Sequence, residues 1–306
     1  MDLSIVIVNW NTKKLLLDCL ASIFETVHNI TTEIWLVDNA SSDGSAEAVK
    51  QMYPGVNIIR NQKNLGFAAA NNQAFAKMQG RYALLLNTDT VLTEGAVAEI
   101  YRFMESHPDV GMACGQLLNT DGSKQNSFAN FPGLASLAFG EALLQLLFPK
   151  KYPGKQTAIF RPMEVDSCIG ACLMVRALAM KTVGRLDENY FFFLEETDWA
   201  FRMKQAGWKV CIVPSARIFH LQGQSVGHDI RSRILFYRAR YFYFKKWRGD
   251  IYGIMRLIVF LRLLLNAGLN LAGFVGTLGA HAGIRKKLDI YTKLIGWHLK
   301  GCPDDR

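Results

Sequence analysis

Cysteine is sparse in this chain: six residues in 306, at positions 19, 114, 168, 172, 211 and 302. That is too few and too scattered for a disulfide scaffold, and the paired short spacings of a zinc site are missing. Cys168 and Cys172 alone sit four apart, a separation read as packing rather than metal binding, so the thiols are expected to be reduced core residues. The glycine fingerprint of dinucleotide-binding dehydrogenases is also missing. Asn9-Trp10-Asn11-Thr12 stands in the first turn, where that class needs closely spaced glycines. No serine has a neighbouring base motif, which argues against a covalent nucleophile. Met1 to Val8 lacks a basic n-region and a long apolar h-region, so no secretory signal is expected and synthesis should end in the cytoplasm. No internal repeat is apparent.

Half of the residues are apolar, enough to bury a full core in one large domain or one domain with an appendage. The net charge of +9 is uneven. Residues 227–306 hold 15 Lys and Arg against 5 Asp and Glu, whereas residues 1–226 hold 20 against 21. A near-neutral body therefore carries a basic tail, which points to an anionic surface as partner.

Apolar runs recur at 3–8, 33–38, 56–60, 82–87 and 110–114, with helix-period stretches between most of them. This rhythm predicts an α/β fold with a mostly parallel central sheet. In the helix predicted from Thr12 to Val27, Leu16, Cys19, Leu20, Ile23, Phe24 and Val27 line one face. Residues 116–165 lose the rhythm and read as an acceptor-side insertion, with a turn at Asn119-Thr120-Asp121-Gly122. Order returns at Asp166, continues through a helix starting near Glu195, and ends in a short strand from Lys209 to Val213. The expected domains are 1–226 and a helical tail, 227–306.

Ligands of an open parallel sheet bind beyond the carboxyl ends of its strands, and the residues after these apolar runs are unusually polar. Asp38 and Asp89 leave different runs toward one rim, an arrangement suited to a nucleoside at one and a metal diphosphate at the other. Helix capping is the plainer alternative for each aspartate alone. From Tyr190 to Trp199 an aromatic run delivers Glu195, Glu196 and Asp198 to the first turn of a helix. The helix dipole favours acids there, but the apolar lead-in should also desolvate a carboxylate and raise its basicity. His220, ahead of Gly223 and Ser225, is either structural or a ligand for a divalent metal.

Taken in order, Val6 to Asn11, Val37 to Ser45, Asn64 to Asn72, Leu85 to Asp89, Ile169 to Cys172, Gly184 to Glu188, Phe193 to Asp198 and His220 resemble glycosyltransferase family 2 enzymes of the rhamnosyltransferase type. The resemblance spans about residues 3–245. It implies a GT-A nucleotide-sugar-binding fold and inverting transfer from a nucleotide-diphosphate sugar, with Mg2+ or Mn2+ as cofactor. It also implies that Asp38 lies near the base or ribose, and that Asp89 is the surviving acid of the family's DxD motif, whose first position is Asn87 here. Glu196 occupies the position that resembles the base, with Glu195 as the rival and Asp198 beside them. The expected nucleotide-sugar-binding set is Val8, Asn9, Asn11, Asp38, Asn39, Ser41, Asp43, Asn64, Gly66, Phe67, Asn71, Asn87, Thr88 and Asp89, with Asp89 and His220 at the metal. The resemblance favours dTDP-rhamnose as donor, with other UDP- or dTDP-sugars behind it.

The tail reads through charge and periodicity. Nine basic residues between Arg231 and Arg262 are interleaved with aromatics, and residues 263–284 contain no Asp, Glu, Lys or Arg. Gly268, Ala272, Gly276 and Ala280 recur every four, which predicts a seam of small residues on one helix face. The mixture favours an interfacial or shallowly inserted helix pair over a true span or a soluble packing helix. The corollary is a peripheral enzyme on the cytoplasmic face of the cell membrane acting on a lipid-linked saccharide, a polyprenyl-diphosphate carrier among the candidates. No nucleic-acid partner is expected. A membrane- or nucleic-acid-binding adaptor, the non-enzymatic alternative, leaves the polar strand ends unexplained.

Overall fold

A computed structural model describes residues 1–154, 157–221 and 229–303. The chain divides into two units, Met1–Phe131 with Pro149–Ser225 and Pro132–Phe148 with Val226–Arg306. Residues 132–148, expected within the acceptor-side insertion, thus group with the C-terminal helices. The expected boundary at 226/227, with Gly223 and Ser225 before it, lies outside the described residues.

The first unit runs β1 (Leu3–Asn9), α1 (Lys13–Thr26), β2 (Thr32–Asp38), α2 (Ser45–Met52), β3 (Asn57–Arg60), α3 (Phe67–Phe75), β4 (Tyr82–Asn87), β5 (Thr90–Leu92), α4 (Ala96–Ser106), β6 (Val110–Leu118) and β7 (Phe128–Ala129). After the residues belonging to the second unit it resumes with β8 (Met163–Glu164), β9 (Ser167–Cys168), β10 (Cys172–Arg176), α7 (Ala177–Val183), α8 (Glu195–Gln205) and β11 (Lys209–His220). The nine-stranded sheet has the order β3-β2-β1-β4-β10-β6-β11-β5, with β8 also paired to β11. β1, β2, β3 and β4 are parallel neighbours, β10 runs antiparallel between β4 and β6, and β6 and β11 are parallel. The sheet is mostly parallel, as the apolar rhythm predicts.

Alternation along β1 builds both cores. Leu3, Ile5 and Ile7 pack in one cluster with Leu16, Cys19, Leu20 and Ile23 of α1, whereas Val6 packs in the other with Ala68, Ala70 and Ala74 of α3. Each fully buried aliphatic side chain contributes about 1.5–3 kcal/mol, which is why strands covered on both faces are continuously apolar. Phe24 departs from the expected face: it is exposed and stacks on Tyr53 with ring centroids 5.0 Å apart. β11 is longer than predicted, because a register shift between Val213 and Arg217, the stretch that contains Pro214, lets the strand resume and reach His220. Five of the six cysteines are buried and all are free; burial pushes the Cys19 thiol up to about 12, which leaves it inert at neutral pH.

The second unit is helical: α5 (Leu134–Phe139), α6 (Glu141–Leu147), α9 (Ile230–Trp247), α10 (Tyr252–Gly276) and α11 (Ala282–Leu299), with a 3-10 turn at Gly249–Ile251. The uncharged run 263–284 is not one helix. α10 stops at Gly276, and His281, whose side chain accepts from Ile284 N, caps the start of α11. Of the predicted seam, Gly268, Ala272 and Gly276 share a face of α10. Ala280 lies beyond α10, a Cβ at Gly268 or Gly276 would meet nothing within 4 Å, and Gly273 is the glycine approached by α11, through Ile284 Cδ1 at 3.3 Å. Ile254, Leu257, Leu261, Leu265, Leu269 and Val275 are exposed at helical spacing, while Met255, Val259 and Leu263 are buried.

Candidate functional site

The carboxyl ends of β1 and β2 are tied together by Asn9, which is fully buried. Its Nδ2 lies 3.2 Å from Asp38 Oδ1, 3.0 Å from Ser41 Oγ and 2.8 Å from Ser45 Oγ, and its Oδ1 accepts from Thr12 Oγ1 at 2.7 Å. Asn11, at φ 54°, donates its N–H to Ser41 Oγ and accepts from Ser42 N, so its side chain holds the loop after β2. Asp43 accepts from Lys13 N, at the start of α1, and from Ser45, at the start of α2. Partial burial works against its charge, but the hydrogen bonds from Ser45 and Lys13 prevail and keep it below the usual carboxylate range. Asn9 thus holds Asp38 directly, while Asn11, Ser41 and Asp43 tie the loop after β2 to the residues that follow β1. Val8 sits between Val37 and Asn87 in the register of β1.

Asn39 does the same for the loop before α3. Its Nδ2 donates to Asn64 Oδ1 (2.8 Å), and its Oδ1 accepts from Asn61 Nδ2 and Leu65 N. Gly66 has φ 84°, and a Cβ there would stand 2.4 Å from Phe191 O, so no side chain fits. Phe67 N donates to that same carbonyl at 2.8 Å, and Phe67 meets Phe192 edge to face. Asn71 donates to Phe67 O, while its buried Oδ1 has no hydrogen-bond partner among the described residues.

At the end of β4, Asn87 N donates to Ala171 O (2.9 Å) and Thr88 Oγ1 lies 3.0 Å from Thr12 Oγ1. Asp89 is buried, with Oδ1 3.5 Å from Nε2 of His220, the last residue of β11. Gln125 fixes the imidazole: its Oε1 is 2.9 Å from His220 Nδ1 and its Nε2 donates to His220 O at 2.7 Å. With Nδ1 turned to the Gln125 oxygen, Nε2 is the ring nitrogen turned toward the Asp89 carboxylate and the one a cation could take as ligand. One carboxylate and one neutral imidazole nitrogen fit a divalent cation that takes its remaining ligands from phosphate oxygens and water. No group of three or more such ligands exists among the described residues, so the ion would depend on the diphosphate. Gln125 was not foreseen from sequence, because it lies where hydrophobic periodicity fails. Replacing it with Leu is expected to weaken Mn2+ binding by about 10–100-fold, and an unchanged Mn2+ titration would remove it from the site.

The acids at the start of α8 follow two consecutive non-glycine residues with positive φ, Phe193 (74°) and Leu194 (66°). Such backbone costs about 1–3 kcal/mol per residue and concentrates at functional sites. Glu195 is buried, and its Oε2 has no hydrogen-bond partner among the described residues. Burial, and after it the charge of Glu196, hold Glu195 well above the usual carboxylate range. Burial likewise pushes Glu196 up to about 7, against weaker hydrogen bonds from its own and the Thr197 backbone and from Thr197 Oγ1. Two adjacent carboxyls that resist joint ionisation can exchange one proton near neutral pH. Asp198 differs, since its carboxylate accepts from Arg202 Nε (2.8 Å) and Tyr190 OH (3.3 Å), and Arg202 in turn donates to the carbonyls of Val183 and Arg185. That carboxylate is committed to holding α8 against the 183–185 turn.

These pieces meet through residues 170 and 171. A Cβ at Gly170 would lie 3.7 Å from Glu196 Cγ, and Ala171 O accepts from Asn87 N. The acid pair and the Asp89 end of β4 are thus linked by two adjacent residues leading into β10. The structure brings Glu195, Glu196, Asn87 and Asp89 into this connected set, and His220 joins them through Asp89.

Residues 4–184 match the family described as glycosyl transferase family 2. The N-acetylglucosaminyl-diphospho-decaprenol L-rhamnosyltransferase of Mycobacterium tuberculosis is 30% identical over 219 residues, covering 66% of this chain and 70% of that protein. The rhamnosyltransferase WbbL of Escherichia coli K12 is 24% identical over 228 residues, covering 71% and 78%. Among solved structures, the mannosyltransferase PcManGT from Pyrobaculum calidifontis, in complex with GDP-Man and Mn2+, superposes with a TM-score of 0.58 at 15% identity, covering 99% of this chain and 88% of that one. The fold is the GT-A fold that the sequence resemblance implies.

Proposed function

The chain belongs to glycosyl transferase family 2, and from that membership we propose that it transfers L-rhamnose from dTDP-rhamnose, with inversion, to a lipid-linked saccharide in cell-surface polysaccharide synthesis. The observation that carries a transferase mechanism is the connected set of Glu196, Gly170, Ala171, Asn87 and Asp89, which joins a basic carboxylate to a diphosphate-holding strand end. Support for rhamnose comes from the two similar rhamnosyltransferases, and support for a lipid-linked acceptor from the diphospho-decaprenol in the name of one.

In this reading Asp38 and Asn39 face the nucleoside, and Asn64, Gly66, Phe67 and Asn71 shape the donor's other side. Asp89 and His220 would hold Mg2+ or Mn2+, which when bound neutralises charge on the departing diphosphate. Glu196 accepts the proton of the acceptor hydroxyl as the new glycosidic C–O bond forms and the bond to the diphosphate breaks, the leaving group keeping the electron pair. Glu195 stays protonated beside it. Asp198 positions the helix.

The enzyme would work at the cytoplasmic face of the membrane. The helix Gly249–Gly276 is long and apolar enough to cross a bilayer, with mean hydropathy 1.8 over its most apolar window and 11% of that window buried. Its exposed stripe and the basic residues of α9 support peripheral or shallow insertion.

The test is a panel of dTDP-, UDP- and GDP-sugars offered with Mn2+ and a polyprenyl-diphosphate-linked N-acetylglucosamine in detergent. Consumption of dTDP-rhamnose with an inverted anomeric product is expected. Turnover of a UDP-hexose with dTDP-rhamnose untouched would transfer the proposal to that donor, and a chain recovered wholly in low-salt supernatant after cell fractionation would end the membrane assignment.

A further inference from the structure

The helical unit contains a cavity of about 300 Å3 whose lining includes Arg233 and Arg240 of α9, Arg262 and Asn266 of α10, and Lys287 and Tyr291 of α11. Four cations and an amide donor converge there, and among the described residues no Asp or Glu lines the space. Among the described residues none of the four is within ion-pair distance of a carboxylate, whereas Arg248 pairs with Asp250 and Lys293 with Asp289. Arg262 is one of two charged residues in the 25-residue apolar α10. Its guanidinium donates to the carbonyls of Ser136 and Leu137 in α5, which fixes its position at the cavity wall. Arg240 lies over the rings of Phe236 (4.5 Å) and Tyr237 (5.6 Å), which orient its planar fork.

Gathering like charges in a partly desolvated space without a counterion is costly, and an anion entering it removes that cost. Burial draws the affinity of Arg240 for its proton below the usual guanidinium value, and Arg262 opposes it too, whereas Tyr237, Tyr241 and the more remote Glu141 work the other way. Guanidinium forks suit phosphate oxygens because two parallel N–H groups match two acceptors. The volume sits at the lower end of small-molecule sites, about 300–1,000 Å3. Beyond the cavity α10 presents its exposed stripe of Leu257, Leu261, Leu265 and Leu269, an apolar track.

We propose that this cavity binds the diphosphate group of a long-chain lipid, with Arg240 and Arg262 as inner donors, Arg233 and Lys287 at the rim, and the lipid chain along the exposed face of α10. The inference rests on the reading of the acceptor as lipid-linked, and assigns the group that recognises its carrier. Free phosphate compounds share the headgroup chemistry, so the track on α10 is what selects the lipid.

Binding of the purified full-length chain is measured by flotation with phosphatidylcholine vesicles carrying a long-chain polyprenyl diphosphate, the corresponding polyprenol, or phosphatidylglycerol at matched charge. Tightest binding to the diphosphate vesicles is expected, with at least a tenfold loss in Arg240→Gln and in Lys287→Gln; Lys287 is exposed, so the second variant reports on the cavity if the first does not fold. Lys293→Gln, on α11 but outside the cavity, should bind as the parent does. Equal binding to phosphatidylglycerol vesicles, or full affinity in both cavity variants, would overturn the proposal. So would displacement by inorganic pyrophosphate or a short oligonucleotide at the concentration of lipid diphosphate that competes. Sugar transfer to a soluble acceptor lacking diphosphate, as efficient as transfer to the lipid-linked one, would instead remove the acceptor reading and leave the vesicle result to be judged by itself.

Discussion

Asp89→Asn is expected to abolish sugar transfer and Mn2+-dependent binding of nucleotide diphosphate while the chain remains folded. Asn preserves the shape of the buried side chain and the backbone bond in which Asp89 O accepts from Leu221 N, so the change removes charge and little else. His220 Nε2, 3.5 Å from Asp89 Oδ1, would then be the one candidate ligand left in this pair. A cation held by so few protein groups has no second carboxylate to fall back on, since Asn87 occupies the position where an acid would otherwise contribute. The loss should reach three orders of magnitude or so, by analogy with removal of a preorganised charge stabiliser, about 10²–10³ in rate for one donor. Isothermal titration of the nucleotide with and without Mn2+ separates this from unfolding. Retained activity with an unchanged Mn2+ requirement would sink the metal assignment.

Glu196→Gln should keep donor affinity and lose transfer by about 10²–10⁴-fold, the usual contribution of a positioned base. Glu195→Gln should do less, because a protonated neighbour and a neutral amide have nearly the same effect on Glu196. The parent's kcat/KM should rise with pH through about 7 as Glu196 ionises, and the Gln variant should lose that limb. Stability carries the opposite sign. The folded chain holds the Glu196 proton up to about 7 where the unfolded chain releases it near 4.5, so this contribution is complete below 4.5 and is lost as pH rises through 7. A reversed order of the two Gln variants would assign the proton to Glu195.

Much of this architecture could be read from the sequence because apolar burial leaves a periodic trace. The five apolar runs became β1, β2, β3, β4 and β6, and the helix of acids begins at Glu195. What escaped has local physical reasons. β10 is five residues long and follows a turn at Gly170-Ala171, and its antiparallel place between β4 and β6 depends on distant partners. Pro214 reads as a strand end, whereas the sheet absorbs it in an irregular register. The sequence sets Asp198 beside the acid pair, but its ion pair with Arg202, four residues on, depends on the formed helix. Gln125 and the strained Phe193–Leu194 pair leave no compositional mark, since imidazole orientation and positive φ are properties of the assembled fold.

Gly66 sets a limit on how such an enzyme can be re-engineered. Its bare backbone rests against the Phe191 carbonyl, in the turn that leads to the acids, and its neighbour Phe67 bonds to the same oxygen. If this loop shapes the donor pocket, as proposed, widening the pocket through it would push on that turn and displace Glu196. On that proposal donor preference and turnover are inherited together at this position, and a lineage acquiring a new sugar would have to change elsewhere, at residues whose side chains do not touch the 191 carbonyl.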